Sequence, residues 1–411
     1  MVWAEDDLYG MLGAPLRAGR AVEGAPPRER SIFQPRIGLC VRASRRGERG
    51  VVPTVRDRVG KELTTHEVEN FVRGGRETDD LAFRESLRLD TDRGRAVFFR
   101  DVAAFTNFIG GHILVGVSRE GRPVGSLEDL DERGLRRLVE SFFGGRLLLQ
   151  YKVYELSDRS PVGLIYVPGI AQHLVIIPRS LEAGEDSLAA GDIYCRRDGR
   201  SVKARSADFN LIITKIMRDR GYVLTQPPRP YRKPLDERIG RPLDEARLAR
   251  AVSRGRQGPE MVFLAEADLE TPRGRSDLVR AVAGLANARG GYVVLGVDER
   301  GRPVPTPGSL DRPAVTGLVR EVLGEDLGLE FGEVSVGGAR LPTMFLYGAD
   351  HVVAAEASCG DPEGPRDRYV AEGDVYYRRG AETVRAGSRE FEAIIKKIVS
   401  AKDYFKVAGP W

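Results

Sequence analysis

Two stretches of sequence, 180 residues apart, decide the fold. Residues 104–125 read AFTNFIGGHILVGVSREGRPVG, and residues 284–305 read GLANARGGYVVLGVDERGRPVP. The same offset holds without a gap from about residue 64 to 124 and aligns the Arg-Gly-Arg at 93–95 with that at 273–275. A second block returns at an offset of 182, where residues 191–197 (GDIYCRR) correspond to residues 373–379 (GDVYYRR). Two blocks in register indicate an internal duplication.

Each repeat predicts one α/β unit. It opens with a helix near residues 64–73 (244–253), followed by a strand around 81–83 (261–264) and an amphipathic helix from about Ala96 to Phe108. We expect Gly110 and Gly111 to supply the left-handed cap of that helix. The apolar run 113–117 (293–297) then predicts a strand covered on both faces. A turn, another helix and β segments at 164–167 and 193–196 complete the unit, so the fold class is α/β (α+β) with a mixed sheet.

The repeats suggest a division into four parts. Residues 1–63 form an extended basic arm rich in Arg, Gly and Pro, which in isolation should be largely unfolded. The first repeat takes residues 64–224 and the second takes 242–411. Between them, residues 225–241 begin TQPPRPYRKP and predict a stiff, basic linker. Whether the repeats form one body or two separate heads is open at this stage.

Composition narrows the function classes. The chain has 411 residues with a net charge of +4, and its positive charge comes from 55 Arg against nine Lys. Nine Asn plus Gln in total suit a thermophile, although a GC-rich genome also explains the arginines. Because no apolar run approaches 18 residues, we expect a soluble, cytoplasmic protein. The three cysteines form no CxxC pair and the four histidines show no ligand spacing, so we expect neither a metal nor a cofactor.

The two quoted stretches resemble the signature of the Schlafen AlbA-type (divergent AAA-like) domain, in which A-F-A-N-T-x-G-G precedes an apolar strand and G-V-D-D-x-G. Residues 193–204 (IYCRRDGRSVKA) and 375–386 (VYYRRGAETVRA) resemble the late Y-x-R-x-G-S element of that family. The resemblance covers roughly residues 64–220 and 243–400. It implies two tandem, degenerate copies of a domain that acts on nucleic acid.

The resemblance also defines where a nuclease site would lie. Some eukaryotic members are metal-dependent endoribonucleases that use two Glu from the first motif and the Asp after G-V, and three carboxylates can hold a divalent ion. The matching positions in this sequence are Glu77, Ala82 and Ser118 in the first repeat, and Gln257, Val262 and Asp298 in the second. Each repeat keeps one acid of three, so we expect neither copy to be an enzyme.

Basic clusters remain as candidate phosphate contacts. The Arg-Gly-Arg segments precede the central helix, where amide donors and arginine can hold a phosphate together, although a solvated surface is the alternative. The arm adds arginines of a kind that fold onto RNA. The predicted RNA-binding residues are Arg28, Arg30, Arg36, Arg42, Arg45, Arg46, Arg84, Arg93, Arg95, Arg196, Arg197, Arg200, Lys203, Arg273, Arg275, Arg378, Arg379 and Arg385.

Several functions are compatible with these features. The preferred hypothesis is a non-catalytic RNA-binding protein that grips structured RNA, plausibly ribosomal RNA or ribosomal subunits, and represses translation by occupying ribosomal sites. The alternatives are a DNA-binding, transcription-associated protein, a divergent metal-dependent endoribonuclease, and a protein-interaction scaffold. We expect no membrane partner.

Overall fold

A computed structural model describes residues 63–406, apart from 126, 146, 170–173, 220–221, 225–242, 256, 266–267, 299, 305–310, 366–367 and 402–403. The predicted arm, apart from Leu63, and the predicted linker lie outside the described residues. The fold is of the expected α/β class, with helices packed on mixed sheets. Within the described ranges, no helix has the length and hydropathy needed to span a membrane.

The first repeat contains the following elements in chain order: α1 (Thr65–Gly74), β1 (Leu81–Arg84), α2 (Asp92–Asn107), β2 (Gly110–Val115), α3 (Glu132–Phe143), β3 (Gln150–Glu155), β4 (Pro161–Pro168), a short 3₁₀ helix (Gly184–Asp186), β5 (Tyr194–Arg197), β6 (Arg200–Lys203), α4 (Ser206–Asp219) and β7 (Tyr222–Leu224).

The second repeat follows the same order, except that the strand pair β12–β13 stands where the first repeat has its 3₁₀ helix: α5 (Glu245–Ser253), β8 (Met261–Leu264), α6 (Pro272–Asn287), β9 (Gly290–Leu295), α7 (Arg312–Leu323), β10 (Glu330–Val336), β11 (Ala339–Tyr347), β12 (Cys359–Gly360), β13 (Tyr369–Val370), β14 (Tyr376–Arg379), β15 (Glu382–Arg385), α8 (Ser388–Ala401) and β16 (Tyr404–Lys406).

Each repeat has a four-stranded sheet with the same strand order. The first sheet runs β1-β2-β4-β3, with β1 parallel to β2 and the other two pairs antiparallel. The second runs β8-β9-β11-β10 with the same orientations. Leu81 is paired with His112 in one sheet, and Met261 is paired with Tyr292 at the equivalent place in the other. The repeat is therefore preserved in strand register as well as in sequence.

The central helix of each repeat begins at a threonine cap. The Thr91 hydroxyl accepts from the Gly94 amide at 3.0 Å, and the Thr271 hydroxyl accepts from the Gly274 amide at 3.1 Å. A Cβ on Gly94 would lie 2.0 Å from the Arg88 carbonyl oxygen. Only glycine allows the preceding loop to lie this close, which explains the glycine of the Arg-Gly-Arg segment.

The central helix ends near Phe108 as predicted, but the prediction that Gly110 and Gly111 form its cap was wrong. Helix α2 ends at Asn107, with Phe108 as its cap, and Gly110 and Gly111 are the first two residues of β2. Gly110 does take a left-handed φ of 80°, but in the strand start rather than in the cap. A Cβ on Gly111 would lie 2.4 Å from the Phe105 ring. The glycine pair thus lets the strand begin directly against the helix that precedes it.

Asn107, which precedes the glycine pair, joins three parts of the first repeat. Its side chain is 2% exposed, and its Nδ2 donates to the carbonyls of Val175 and Tyr194 at 2.8 and 2.9 Å. Its Oδ1 accepts from the Val175 amide at 2.7 Å. Asn287 makes the three equivalent bonds in the second repeat. Because buried backbone groups need partners, this asparagine fixes the loop and β5 (or β14) against the central helix.

The two repeats share a hydrophobic core and form one body. Helices α4 and α8 pack against each other, with the rings of Phe209 and Phe391 stacked at 5.6 Å. Strands β7 and β16, which follow these helices, form an antiparallel pair. The described parts of both repeats fall within a single compact unit. The shared core and the strand pair therefore join the repeats into one body rather than two separate heads.

Candidate nucleic-acid interface

The positions of the nuclease carboxylates serve the fold in both repeats. Glu77 accepts from the Phe83 amide at 2.9 Å, and Gln257 accepts from the Phe263 amide at 3.3 Å. The second position of each motif is an apolar residue in the core, with Ala82 0% and Val262 5% exposed. Glu77 and Gln257 therefore share one structural role, which is to anchor the strand that follows them.

The third motif position lies in a tight turn. Asp298 accepts through Oδ1 from the amides of Arg300 and Arg302, both at 2.9 Å, and through Oδ2 from the Arg302 guanidinium. The backbone hydrogen bond from Arg302 is the main cause that lowers the pKa of Asp298. Ser118 accepts from the Arg122 amide at 3.3 Å. Among the described residues, no three His, Cys, Asp or Glu side chains meet in a group that could hold a metal ion.

Two predicted RNA contacts are buried. Arg196 and Arg378 are 2% and 3% exposed, and burial lowers the pKa of both guanidinium groups, that of Arg378 to about 10. Arg196 donates to the carbonyls of Thr78, Leu81 and Gly199 at 2.7–3.1 Å and lies 4.5 Å from the Phe105 ring centroid. Arg378 donates to the carbonyls of Gly258 and Met261, which correspond to two of these three. Both arginines connect the late hairpin to the sheet, so a surface phosphate contact does not fit them.

Arg84 and Arg385 are also mostly enclosed. The Arg84 side chain is 19% exposed and pairs with Asp101 at 2.6 Å and Glu77 at 3.0 Å. Arg385 pairs with Asp192 of the first repeat at 2.5 Å and with Asp374 of its own repeat at 2.6 Å. Burial alone would raise the pKa of Asp192, but Lys203 and Arg385 together lower it. Arg385 thus belongs to an ion cluster between the repeats rather than to an open surface.

The Arg-Gly-Arg arginines lie in the first turn of α2 and α6 rather than before these helices, and the chain's own carboxylates already pair with them. Arg93 is 75% exposed and bonds Asp186 at 2.8 Å, while Arg95 lies 3.4 Å from Asp92. In the second repeat, Arg273 pairs with Asp277 at 3.5 Å and Arg275 with Glu321 at 3.3 Å. Ion pairs at such exposed sites are weak, so a phosphate can compete for these arginines.

The other predicted contacts lie on the hairpins β5–β6 and β14–β15. Arg197 pairs with Asp208 at 3.2 Å, Lys203 with Asp192 at 3.1 Å, and Arg379 with Glu390 at 3.4 Å. Arg200 is exposed and makes no side-chain bond within the described residues. The predicted arm contacts, Arg28, Arg30, Arg36, Arg42, Arg45 and Arg46, lie outside the described residues.

The structure brings together a further set of exposed arginines that the sequence prediction missed. Helix α1 ends at Gly74, and its cap residue, Gly75, has a left-handed φ of 59°. The turn after β2 lies directly against this end, because a Cβ on Gly121 would be 2.5 Å from the Gly75 Cα. The contact places four exposed arginines around two glycines, and we call this surface the first junction. Its arginines are Arg73, Arg76, Arg119 and Arg122.

The second repeat has the same arrangement. A Cβ on Gly301 would lie 2.2 Å from the Gly255 Cα, so the end of α5 again abuts the turn after β9. The exposed arginines here are Arg254, Arg300 and Arg302, which form the second junction. The recurring Gly-Arg-Pro-Val at 121–124 and 301–304 was the sequence signal for this surface. The sequence did not show that this turn contacts the end of the preceding helix.

Comparison with known proteins finds a family match within the first repeat. The family described as Schlafen, AlbA_2 matches residues 77–205, so this part of the chain is similar to that family. The second repeat lies outside the matched residues. None of the curated proteins matches the chain. One solved structure, the DIP2311 protein from Corynebacterium diphtheriae, aligns over 69% of this chain and 80% of its own at 14% identity, and its TM-score of 0.27 supports no argument.

Proposed function

We propose that this protein is a non-catalytic RNA-binding protein that grips structured RNA through its two junctions. The observation that carries this proposal is the recurrence of exposed arginines around the same glycine contact in both repeats of one body. Guanidinium groups fork onto phosphate oxygens and are weakly hydrated, which suits them to a nucleic-acid backbone. The family match supports a nucleic-acid partner in general.

We favour RNA over DNA as the partner, and we propose ribosomal RNA as the specific target. Two basic surfaces on one body suit a partner of fixed shape, such as a folded RNA. Binding to ribosomal subunits would repress translation by occupancy, because the protein would block the sites that it covers. The basic arm would add phosphate contacts along the same RNA.

Catalytic turnover is not part of the function that we propose, because the carboxylate positions of both repeats are used by the fold. An Ala82 or Val262 side chain has no ligand atom, and both are packed in the core. Glu77 is held by the Phe83 amide and by Arg84, and Asp298 is held by its own turn. A single carboxylate committed to a fold contact in each repeat does not reproduce the three-carboxylate site of the family's nucleases.

The test is sedimentation of the native protein from lysate on a sucrose gradient, followed by sequencing of the bound nucleic acid. We expect co-migration with ribosomal subunits that is lost at high salt, because phosphate contacts release counterions. Structured RNA should outcompete double-stranded DNA. Recovery of DNA instead would support the transcription-associated alternative, and migration as a free protein without nucleic acid would refute the proposal. Divalent-dependent cleavage of the recovered RNA would refute the non-catalytic part.

A further inference from the structure

A cavity of about 720 Å³ lies where the two repeats meet. Its walls from the first repeat are mainly apolar and include Phe143, Leu147 and Leu174. From the second repeat come Arg385, at the end of β15, Gly387, and Ser388, the first residue of α8. This volume falls in the range of ordinary small-molecule sites. The cavity is separate from both junctions in the residues that form it.

The internal repeat shows what the equivalent place looks like on the other side of the body. Ile177 donates to the Asp192 carbonyl, and Ala355 donates to the Asp374 carbonyl, so these segments correspond. Ala190 and Glu372 correspond in the same way, since each amide bonds a serine hydroxyl, Ser180 or Ser358. The three correspondences that matter for the cavity are Gly387 with Arg205, Pro178 with Glu356, and Ala190 with Glu372.

On the other side, these positions are filled by an ion triad. Arg205 bonds Glu372 at 2.6 Å and lies 3.7 Å from Glu356. The Glu356 carboxylate also accepts from the Ser206 amide, at the start of α4, at 3.0 Å. The Ser206 hydroxyl in turn accepts from the Ala354 amide at 3.1 Å. A carboxylate on the helix N-terminus and an adjacent arginine therefore close that side.

The cavity side has none of these side chains at the corresponding positions. Gly387, Pro178 and Ala190 carry no charge, and within the described residues Ser388 makes none of the bonds that Ser206 makes. The Ser388 amide is at the first position of α8, where the helix leaves N–H groups without intrahelical acceptors. The Arg385 Nε is a second buried donor with no hydrogen-bond partner in the described part of the chain.

We propose that the cavity binds a small molecule in which a carboxylate is attached to an apolar body. The carboxylate takes the place that Glu356 has on the other side and accepts from the Ser388 amide, where the helix dipole also favours a negative charge. The apolar body lies on Phe143, Leu147 and Leu174. The chain itself provides the precedent, because it seats a carboxylate on the corresponding amide of α4. This inference does not depend on nucleic-acid binding.

The test measures binding of 3-phenylpropionate by calorimetry to the full chain without nucleic acid. We expect a dissociation constant of about 1 mM or tighter for a ligand of this size. The neutral 3-phenylpropionamide should bind at least about tenfold more weakly, because it lacks the charge that the helix N-terminus attracts. Absence of binding at about 10 mM, or equal binding of acid and amide, would overturn the proposal.

Two variants locate the bound carboxylate. Ser388→Pro removes the amide donor at the first helical position, where proline is tolerated, and should weaken 3-phenylpropionate binding by about tenfold. Ser388→Ala is the matched control, since it keeps the amide and removes only the hydroxyl, and it should bind as the native chain does. Circular dichroism confirms that both variants are folded. Equal affinities of the two variants would place the ligand elsewhere and refute the assignment.

Discussion

Replacing Asn107 by alanine should destabilise the whole body, because this side chain pairs three buried backbone groups. The substitution leaves the Val175 amide and the carbonyls of Val175 and Tyr194 without their partner. A buried polar group without a hydrogen bond costs about 1–3 kcal/mol, and the side chain is 2% exposed, so water does not replace it freely. We expect a loss of about 3–5 kcal/mol, a large fraction of the stability of an ordinary domain.

Urea denaturation followed by far-ultraviolet circular dichroism measures this loss. Asn287→Ala should cost a similar amount, because its three bonds are the same. Asn210→Ala is the matched control: Asn210 is exposed on α4, and its replacement should change stability by about 0.5 kcal/mol or less. Since the repeats share a core, each variant should unfold in one transition. An Asn107→Ala loss no larger than that of Asn210→Ala would refute the reasoning, and two separate transitions would contradict the shared core.

Two further predictions concern ionisable groups. Burial lowers the pKa of Lys397 to about 7 from its ordinary 10.5. Between these two pH values the unfolded chain therefore binds more protons than the folded chain. The free energy of unfolding should consequently rise with pH across that window. Lys397→Met should remove up to about 1.4 kcal/mol per pH unit of this rise, seen in urea midpoints between about pH 7 and pH 9; an unchanged slope would contradict it. Glu77→Gln should cost less stability than Glu77→Ala, because Gln257 already makes the equivalent bond to a strand amide; equal losses would contradict that role.

The sequence predicted the parts of the fold that depend on local pattern. The duplication, the fold class and the order of the main helices and strands follow from spacing alone, since a buried strand such as β2 is a continuous apolar run. The position of the helix cap did not follow. Glycine favours a left-handed φ in a cap and in a strand start alike, and only the packing of Gly111 against Phe105 distinguishes the two.

The predictions of site residues depended on charge, and charge does not reveal burial. Arg196 and Arg197 are adjacent in one strand, so they face opposite sides, and a sequence without tertiary contacts does not show which one is enclosed. Arg196 is the enclosed one, and it contacts three carbonyls and the Phe105 ring in the interior. The junction arginines come from segments about 45 residues apart, and they become one surface only through the glycine contact.

The central claim is that the junctions bind RNA phosphates, and charge reversal in the first junction tests it most directly. We would measure the affinity of Arg76→Glu/Arg119→Glu/Arg122→Glu for a structured ribosomal RNA fragment by fluorescence anisotropy over a range of salt. The control is Arg133→Glu/Arg137→Glu, which reverses two exposed arginines on α3. The account predicts weaker binding for the junction variant and a salt slope shallower by about 0.7–0.9 per lost contact, with the control close to the native chain. A junction variant whose affinity and slope equal those of the control would contradict the account.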